Sequence, residues 1–298
     1  MNLTDILAVC KFSKLIYDQN KFHLDRESLI KKYESERIEY DIILKSHEEQ
    51  ESCINLAKKL LPETKFIYTP HLQPKMTEDK ELVISIGGDE HFKFVIHNSV
   101  RDQLVLNVRS DNLKSEGALS ACNRFNLKEM VDQIKNDTYI VDEWVRLDAK
   151  LNDTPIESAI DTIFIGEKDS TRMSRYFLDY QGEREEQKSS GLLIVTGAGS
   201  TGWFSSAGGE AFPRNAKTGR FVAREIYKGT KTGSQLPYGE FNYDEEIQII
   251  SLMDACGIIE IDSIKEYPFR RGDKLKIKVS DYLLRVVLLD QKSDKGEA

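Results

Sequence analysis

The strongest constraint in the chain is one short segment. Leu82-Val83-Ile84-Ser85-Ile86 runs straight into Gly87-Gly88-Asp89-Glu90-His91. A β-branched run that stops at two glycines predicts a strand ended by a turn. Two glycines at its end let the backbone approach a ligand closely or take positive φ. The carboxyl end of a parallel strand is where α/β sheets bind ligands, and a following helix N-terminus can hold a phosphate. Asp89 is then placed to accept a proton from a hydroxyl or to hold a metal. The same pattern also serves a strand-to-helix turn in which Asp89 only caps the helix.

Similar signals surround this segment. Ile6–Val9, Phe66–Tyr68 (ended by Thr69-Pro70) and Leu104–Val108 read as strands. The charged stretch Asp25–Leu61 reads as helical, with Cys53, Leu56, Ala57 and Leu60 on one face. Strands separated by helices indicate parallel βαβ units. Beyond residue 123 one further helix, Leu127–Lys135, precedes a series of strands: Tyr139–Leu147, Ala159–Ile165, Leu192–Thr196, Gln248–Leu252, Ile258–Ile261, Leu275–Val279 and Leu283–Leu289. The fold class expected is an α/β N-terminal domain with a parallel sheet plus a β-rich C-terminal domain. The boundaries expected are 1–123 for the first, 124–275 for the second, and 276–298 for C-terminal strands and a frayed polar tail from Gln291.

A length of 298 residues suits two domains. Forty-two basic against fifty acidic residues, a net charge of −8, disfavour a broad basic face for nucleic acid but leave room for a local basic pocket. Cys10, Cys53, Cys122 and Cys256 form no CxxC pair, which argues against a disulfide scaffold or structural zinc and fits a reducing compartment. No apolar run reaches the roughly 18 to 20 residues of a membrane helix. The N-terminal residues have neither the order of a signal peptide nor the composition of a transit peptide. The expectation is a cytoplasmic protein.

A second segment carries chemistry. Thr196 to Gly209 contains five glycines and five hydroxyl residues in fourteen positions, directly after the apolar run Leu192–Val195. Such a stretch builds no core. It is either a flexible loop or the lining of a polyol or phosphate site, with Trp203 offering a flat face for a base. It matches neither a P-loop nor GxGxxG.

The two segments, in this order and about 110 residues apart, resemble the NAD kinase family, with its GGDG motif and its TGSTAY-like motif followed by SAGG. Ser110–Gly117 resembles the family's TDPxRSEG stretch. Ile163–Glu167, Gln187–Leu192 and Trp203 resemble the branch that includes the mitochondrial enzymes. Tyr267–Gly272 and Leu284–Val287 match the family's late strands. The resemblance covers roughly residues 80 to 289, and GGD alone is shared with lipid kinases of the same superfamily.

The resemblance implies transfer of the terminal phosphate of ATP, with Mg²⁺ brought in on the nucleotide, to the adenosine ribose 2′-hydroxyl of NAD. It implies a cleft between two domains, a chain end that returns to the first domain, and a homodimer or larger homo-oligomer. Neither nucleic acid nor membrane is an expected partner. Asp89 becomes the catalytic aspartate, which orients or deprotonates the acceptor hydroxyl. Gly87, Gly88, Glu90 and Arg109 become the phosphate and nucleotide side. Asp161, Thr201, Gly202, Trp203, Ser206 and Lys188 become the NAD side, with no metal held by the protein itself.

Three positions depart from the family. Glu90 replaces the last glycine of GGDG; at ~4 Å and an effective dielectric near 20, a like-charge contact with a triphosphate costs about 4 kcal/mol. Ile160-Asp161 replaces the family's Asn-Glu pair. Asn107-Val108-Arg109 replaces Gly-Val-Asn, and Arg109 is the expected cation to offset Glu90. An active kinase, a nucleotide-binding or sensing protein that has lost transfer, and a lipid kinase of the superfamily are the readings carried forward, in that order. Among other residues, His91 is expected at a helix start near the cleft. Arg172, Arg175 and Arg184 are expected to be solvated. Asp262 is expected to be structural.

Overall fold

The structure is a computed structural model, and it describes residues 1–100 and 102–291. The rest of the expected frayed tail, residues 292–298, lies outside the described residues. The chain divides into two units: Met1–Asp142 together with the segment from Arg285 onward, and Glu143–Leu284.

The first unit is α/β. Its elements are β1 (Ile6–Cys10), α1 (Lys14–Phe22), α2 (Arg26–Ser35), α3 (Asp41–Leu60), β2 (Lys65–Tyr68), β3 (Leu82–Gly87), α4 (Asp89–His97), β4 (Leu104–Arg109), the short β5 (Cys122–Asn123), α5 (Leu127–Asn136) and β6 (Ile140–Trp144), which runs into the second unit. The helical stretch expected from Asp25 to Leu61 is two helices. They are separated by a turn in which Arg37 takes a φ of 55°. Helix α1, absent from the sequence reading, starts where Ser13 Oγ accepts the amide of Ile16.

The second unit is made of antiparallel strands: β7 (Leu147–Leu151), β8 (Thr154–Pro155), β9 (Thr162–Glu167), β10 (Ser174–Tyr180), β11 (Glu183–Ser189), β12 (Leu192–Val195), β13 (Thr218–Ala223), β14 (Tyr238–Asn242), β15 (Glu246–Ser251), β16 (Gly257–Ile261), β17 (Lys265–Pro268) and β18 (Lys274–Val279). The short helix α6 (Trp203–Ser206) follows β12. The last strand, β19 (Leu284–Leu288), re-enters the first unit.

The two units show two kinds of strand. In the first, β2-β1-β3-β4-β19-β6 form one sheet, with β5 off β4, and β1, β3 and β4 pair in parallel. Strands β1 and β3 are buried at every position, because helices or loops cover both faces. In the second, Lys274–Val279 alternates polar and apolar residues, and both it and Glu246–Ser251 bury every second residue, so each buries one face only. Two six-stranded sheets, β11-β10-β15-β18-β7-β8 and β14-β13-β12-β9-β16-β17, press their apolar faces together. Tyr176, Phe221, Phe241 and Ile277 are fully buried there.

The boundary falls at Asp142 rather than at 123. Helix α5 is amphipathic, and its Leu127, Met130, Val131 and Ile134 lie in the core of the first unit. Strand β18 stays in the second unit, paired with β15 and β7, so the return begins at Arg285 and not at 276. Strand β19 then pairs in parallel with β4.

Leu106 is fully buried in the core of the first unit. Leu106→Ala is expected to cost about 2 to 5 kcal/mol, read as a lower urea midpoint by circular dichroism.

Candidate functional site

Strand β3 delivers the first motif to the carboxyl end of the parallel sheet. Neither Gly87 nor Gly88 takes a positive φ, so the glycines answer a need for space. A Cβ on Gly87 would stand 2.5 Å from the His91 ring, and one on Gly88 would stand 3.1 Å from Ser115 Oγ.

His91 is buried at the start of α4. Its Nδ1 lies 2.9 Å from Ser85 Oγ and its Nε2 lies 2.8 Å from Thr69 Oγ1. Thr69 spends its proton on the carbonyl of Cys10 at 3.0 Å. It must therefore accept from His91 Nε2–H, which leaves Nδ1 to accept from Ser85. Burial first, then the charge of Lys11, pushes the His91 pKa down to about 3. A neutral imidazole thus ties together the ends of β1, β2 and β3.

Asp89 opens α4. Its two carboxylate oxygens accept the backbone amides of Ala118 (2.9 Å) and Leu119 (3.1 Å), pinning the loop after Gly117. Each oxygen keeps a further lone pair for a hydroxyl. Gly117 takes a φ of 67°, and a Cβ there would meet Arg109 Cδ at 2.5 Å. Arg109 itself donates to the carbonyls of Ser115 (3.3 Å) and Glu116 (2.8 Å). It shapes this loop instead of offsetting Glu90.

The cation beside Glu90 is Lys93, one turn along α4, at 2.6 Å. The Lys93 side chain is buried and Glu90 is exposed. The expected pairing of Arg109 with Glu90 is replaced by this local pair, because i,i+3 residues share a helix face.

These residues border a cleft of about 790 Å³ within the first unit. Gly88, Asp89, Glu90 and His91 line it together with Lys11, Phe12, Ser46, Gln50, Asp111 and Lys114. Asp111 and Lys114 belong to the Ser110–Gly117 stretch, whereas Lys11, Phe12, Ser46 and Gln50 were missed in the sequence reading. Lys11 and Phe12 follow the carboxyl end of β1, the signal that could have found them. Ser46 and Gln50 sit on α3, far away in sequence, and nothing local marks them.

In the second unit Asp262, 1 % exposed with a φ of 55°, accepts the amides of Ile160, Asp161 and Thr162, each at 2.9 Å. It has the structural part expected of it. Ile160 is buried there. Asp161 Oδ1 accepts from Thr162 Oγ1 at 2.7 Å, and a Cβ on Gly199 would stand 2.2 Å from Asp161 Oδ1. Asp161 and the glycine-rich turn are therefore in direct contact.

Thr201, Gly202, Trp203 and Ser206 are exposed on that turn and on α6. Trp203 stacks on Phe164 with centroids 5.3 Å apart, and the Arg224 guanidinium lies 4.5 Å from its ring. Its flat face is thus already engaged. Lys188 lies on β11 with its ammonium 5.0 Å from the Tyr227 ring. The cation against Trp203 is Arg224, a residue the sequence reading did not single out. Of the expected solvated arginines, Arg184 makes a two-bonded pair with Asp179 (2.6 and 2.7 Å).

No family model matches the chain. A probable NADH kinase of Oryza sativa is 24% identical over 268 residues, 82% of each chain. The NAD kinase of Methanosarcina barkeri is 25% identical over 213 residues, 70% of this chain and 74% of that one. Among solved structures, an Archaeoglobus fulgidus NAD kinase in complex with ATP superposes with a TM-score of 0.65 at 16% identity, covering 80% of this chain and 90% of that one. Yeast NADH kinase complexed with NADH gives 0.69 at 14%, covering 97% and 85%. The architecture is therefore that of the two-unit kinases with an α/β sheet followed by paired antiparallel sheets. In sequence the chain is similar to NAD and NADH kinases over most of its length, and its fold is that of the solved kinases.

Two outcomes follow from this geometry. The unfolded chain takes up a proton at an ordinary imidazole near pH 6.5, whereas folded His91 resists until about pH 3. Its contribution is intact above pH 6.5 and is lost as the pH falls through this window, by up to about 1.4 kcal/mol per pH unit. Urea midpoints at pH 7 and pH 5 should differ more in the native chain than in His91→Gln. Glu90→Gly removes the ion pair to buried Lys93 and puts glycine in the first turn of α4, at a cost of about 1 kcal/mol in helix propensity. No gain in nucleotide affinity is expected in a calorimetric titration.

Proposed function

We propose that the chain phosphorylates NAD at the adenosine ribose 2′-hydroxyl with ATP, giving NADP and ADP. The observation that carries this reading is Asp89. Its carboxylate stands at the end of β3, is held by two backbone amides and borders a cleft beside Gly88. In the proposed step the 2′-oxygen attacks the γ-phosphorus, the bond to the β,γ-bridging oxygen breaks, and the hydroxyl proton passes to Asp89. Phosphoryl transfer asks little else of a protein than positioning and charge neutralisation.

Gly87, Gly88 and Arg109 are assigned to the nucleotide side: Gly87 leaves room for the His91 ring, Gly88 lines the cleft, and Arg109 shapes the loop that Asp89 holds. Glu90, neutralised by Lys93, borders the same cleft. Asp161, Thr201, Gly202, Trp203 and Ser206 are assigned to the dinucleotide side, supported by the contact between Asp161 and Gly199. Lys188 is assigned there by family match alone. Among the described residues no three His, Cys, Asp or Glu side chains cluster to hold a metal. In this reading Mg²⁺ arrives as part of the nucleotide substrate.

The finer assignments are part of the same proposal. The motifs at 163–167 and 187–192 with Trp203 favour the branch that includes mitochondrial enzymes. The four free cysteines favour a reducing compartment, which we take to be the cytoplasm. The assembly is proposed to be a homodimer or larger, as in the family.

Purified protein with NAD, ATP and Mg²⁺ should form NADP, and Asp89→Asn should cut turnover by about 10² to 10⁴. Because Asp89 also holds Ala118 and Leu119, the variant's melting temperature is measured alongside. Full activity in Asp89→Asn would overturn the role. Binding of NAD without turnover in the native chain would favour the sensing reading, and a parallel assay with NADH separates the two acceptors.

A further inference from the structure

Among the described residues that line the cleft of the first unit, one buried polar side-chain atom has no hydrogen-bond partner. Gln50, on α3, is 6 % exposed and lines the cleft. Its Oε1 is buried without a hydrogen-bond partner. The orientation of this amide is determined by its neighbours. Ser46 Oγ, one turn earlier, donates its only proton to the carboxylate of Asp111. The other oxygen of Asp111 accepts the amides of Leu113 (2.9 Å) and Lys114 (3.3 Å). Ser46 Oγ can therefore only accept, and it accepts from Gln50 Nε2 at 3.4 Å. Turning the amide over would set two acceptors against each other. Gln50 thus offers a carbonyl oxygen, and a buried acceptor left unpaired costs about 1 to 3 kcal/mol. A ligand that donates a hydrogen there removes that cost.

The surroundings narrow the ligand. Phe12, Tyr17 and Phe94 line the same cleft. Phe12 is already steadied by stacking on Tyr68, with centroids 4.8 Å apart, while Tyr17 is 54 % exposed. Flat rings beside one fixed acceptor suit a planar heterocycle bearing an amino group. Lys11 and Lys114 line the cleft too and provide positive charge for phosphates. Adenine presents a 6-amino donor. Guanine and hypoxanthine present an oxygen at the same position, which would face Gln50 Oε1 acceptor to acceptor. Polyphosphate has no base to read.

We propose that this cleft reads the base of the phosphate donor. Adenine donates its 6-amino group to Gln50 Oε1, so that Gln50 selects an adenine nucleotide over its 6-oxo counterparts and over polyphosphate. This rests on the assignment of the first unit as the donor side.

The test compares Mg-ATP with Mg-ITP on the full chain; the two bases differ in the 6-substituent and in the hydrogen that hypoxanthine carries on N1, one position away from the proposed contact. Dissociation constants come from calorimetry, and kcat/KM values come from NADP formation. The native chain is expected to favour ATP over ITP at least tenfold in both. Gln50→Leu should bring the ratio close to one by weakening ATP and sparing ITP. Tyr17→Ala, at a half-exposed position, should weaken both nucleotides and keep the ratio.

An unchanged ratio in Gln50→Leu, or equal native use of ITP or polyphosphate, overturns the proposal. If Gln50→Leu does not fold, a native preference for ATP together with the Tyr17→Ala result supports it, and an equal response to ATP and ITP overturns it. Selective ATP binding that depends on Gln50, without NADP formation, sustains the base site and refutes the kinase reading. NADP formed with no preference among donors does the reverse. Binding of neither nucleotide overturns both.

Discussion

The carboxylate of Asp89 makes the contact on which the first unit's site depends. By accepting the amides of Ala118 and Leu119 it joins the end of β3 to a loop almost thirty residues further along. Arg109 reinforces that loop from the end of β4 through two carbonyls, and Gly117 leaves the room for its side chain to pass. One acidic side chain therefore shapes the wall and, in the proposed reaction, also takes the proton of the attacking hydroxyl. A residue with both duties cannot be removed without consequence for the other, so stability and turnover have to be read together at this position.

Much of the architecture can be read from residue order, because two burial patterns are written differently. Continuous apolar runs such as Ile6–Cys10 and Leu82–Ile86 belong to a sheet covered on both faces, and alternating runs such as Lys274–Val279 belong to one covered on a single face. What escaped has a physical reason too. Helix α1 is short and buries only Leu15 and Asp18, and its start depends on the cap of Ser13. Strand β11 reads as Glu-Arg-Glu-Glu-Gln-Lys-Ser, with no strand former, and is held by its ladder to β10. The break between α2 and α3 lies in a charged stretch with neither glycine nor proline to mark it.

At the sites the sequence indicates which segments matter but not the partner of each charge. Glu90 finds Lys93 along its own helix, whereas Arg109 turns to carbonyls and Trp203 meets Arg224 from a different strand. Such partners are chosen by geometry in three dimensions, and only the helical pair was open to inference from spacing. Gln50 is the extreme case. Nothing in the sequence distinguishes it from other polar residues of α3; its significance comes entirely from Ser46 and Asp111, which determine the way its amide faces.

The return of the chain through β19 has a consequence for how the molecule is made. In the finished sheet β19 lies between β4 and β6, yet it leaves the ribosome only after the whole second unit. The second unit is one uninterrupted stretch, Glu143–Leu284, and all its pairings are available before that strand emerges. During synthesis the nascent N-terminal half must wait with an unpaired strand edge, the kind of surface that chaperones cover. Completion of the first unit's sheet is thereby deferred until the second unit has been made, and a chain that stops before β19 yields a folded second unit attached to an open first one.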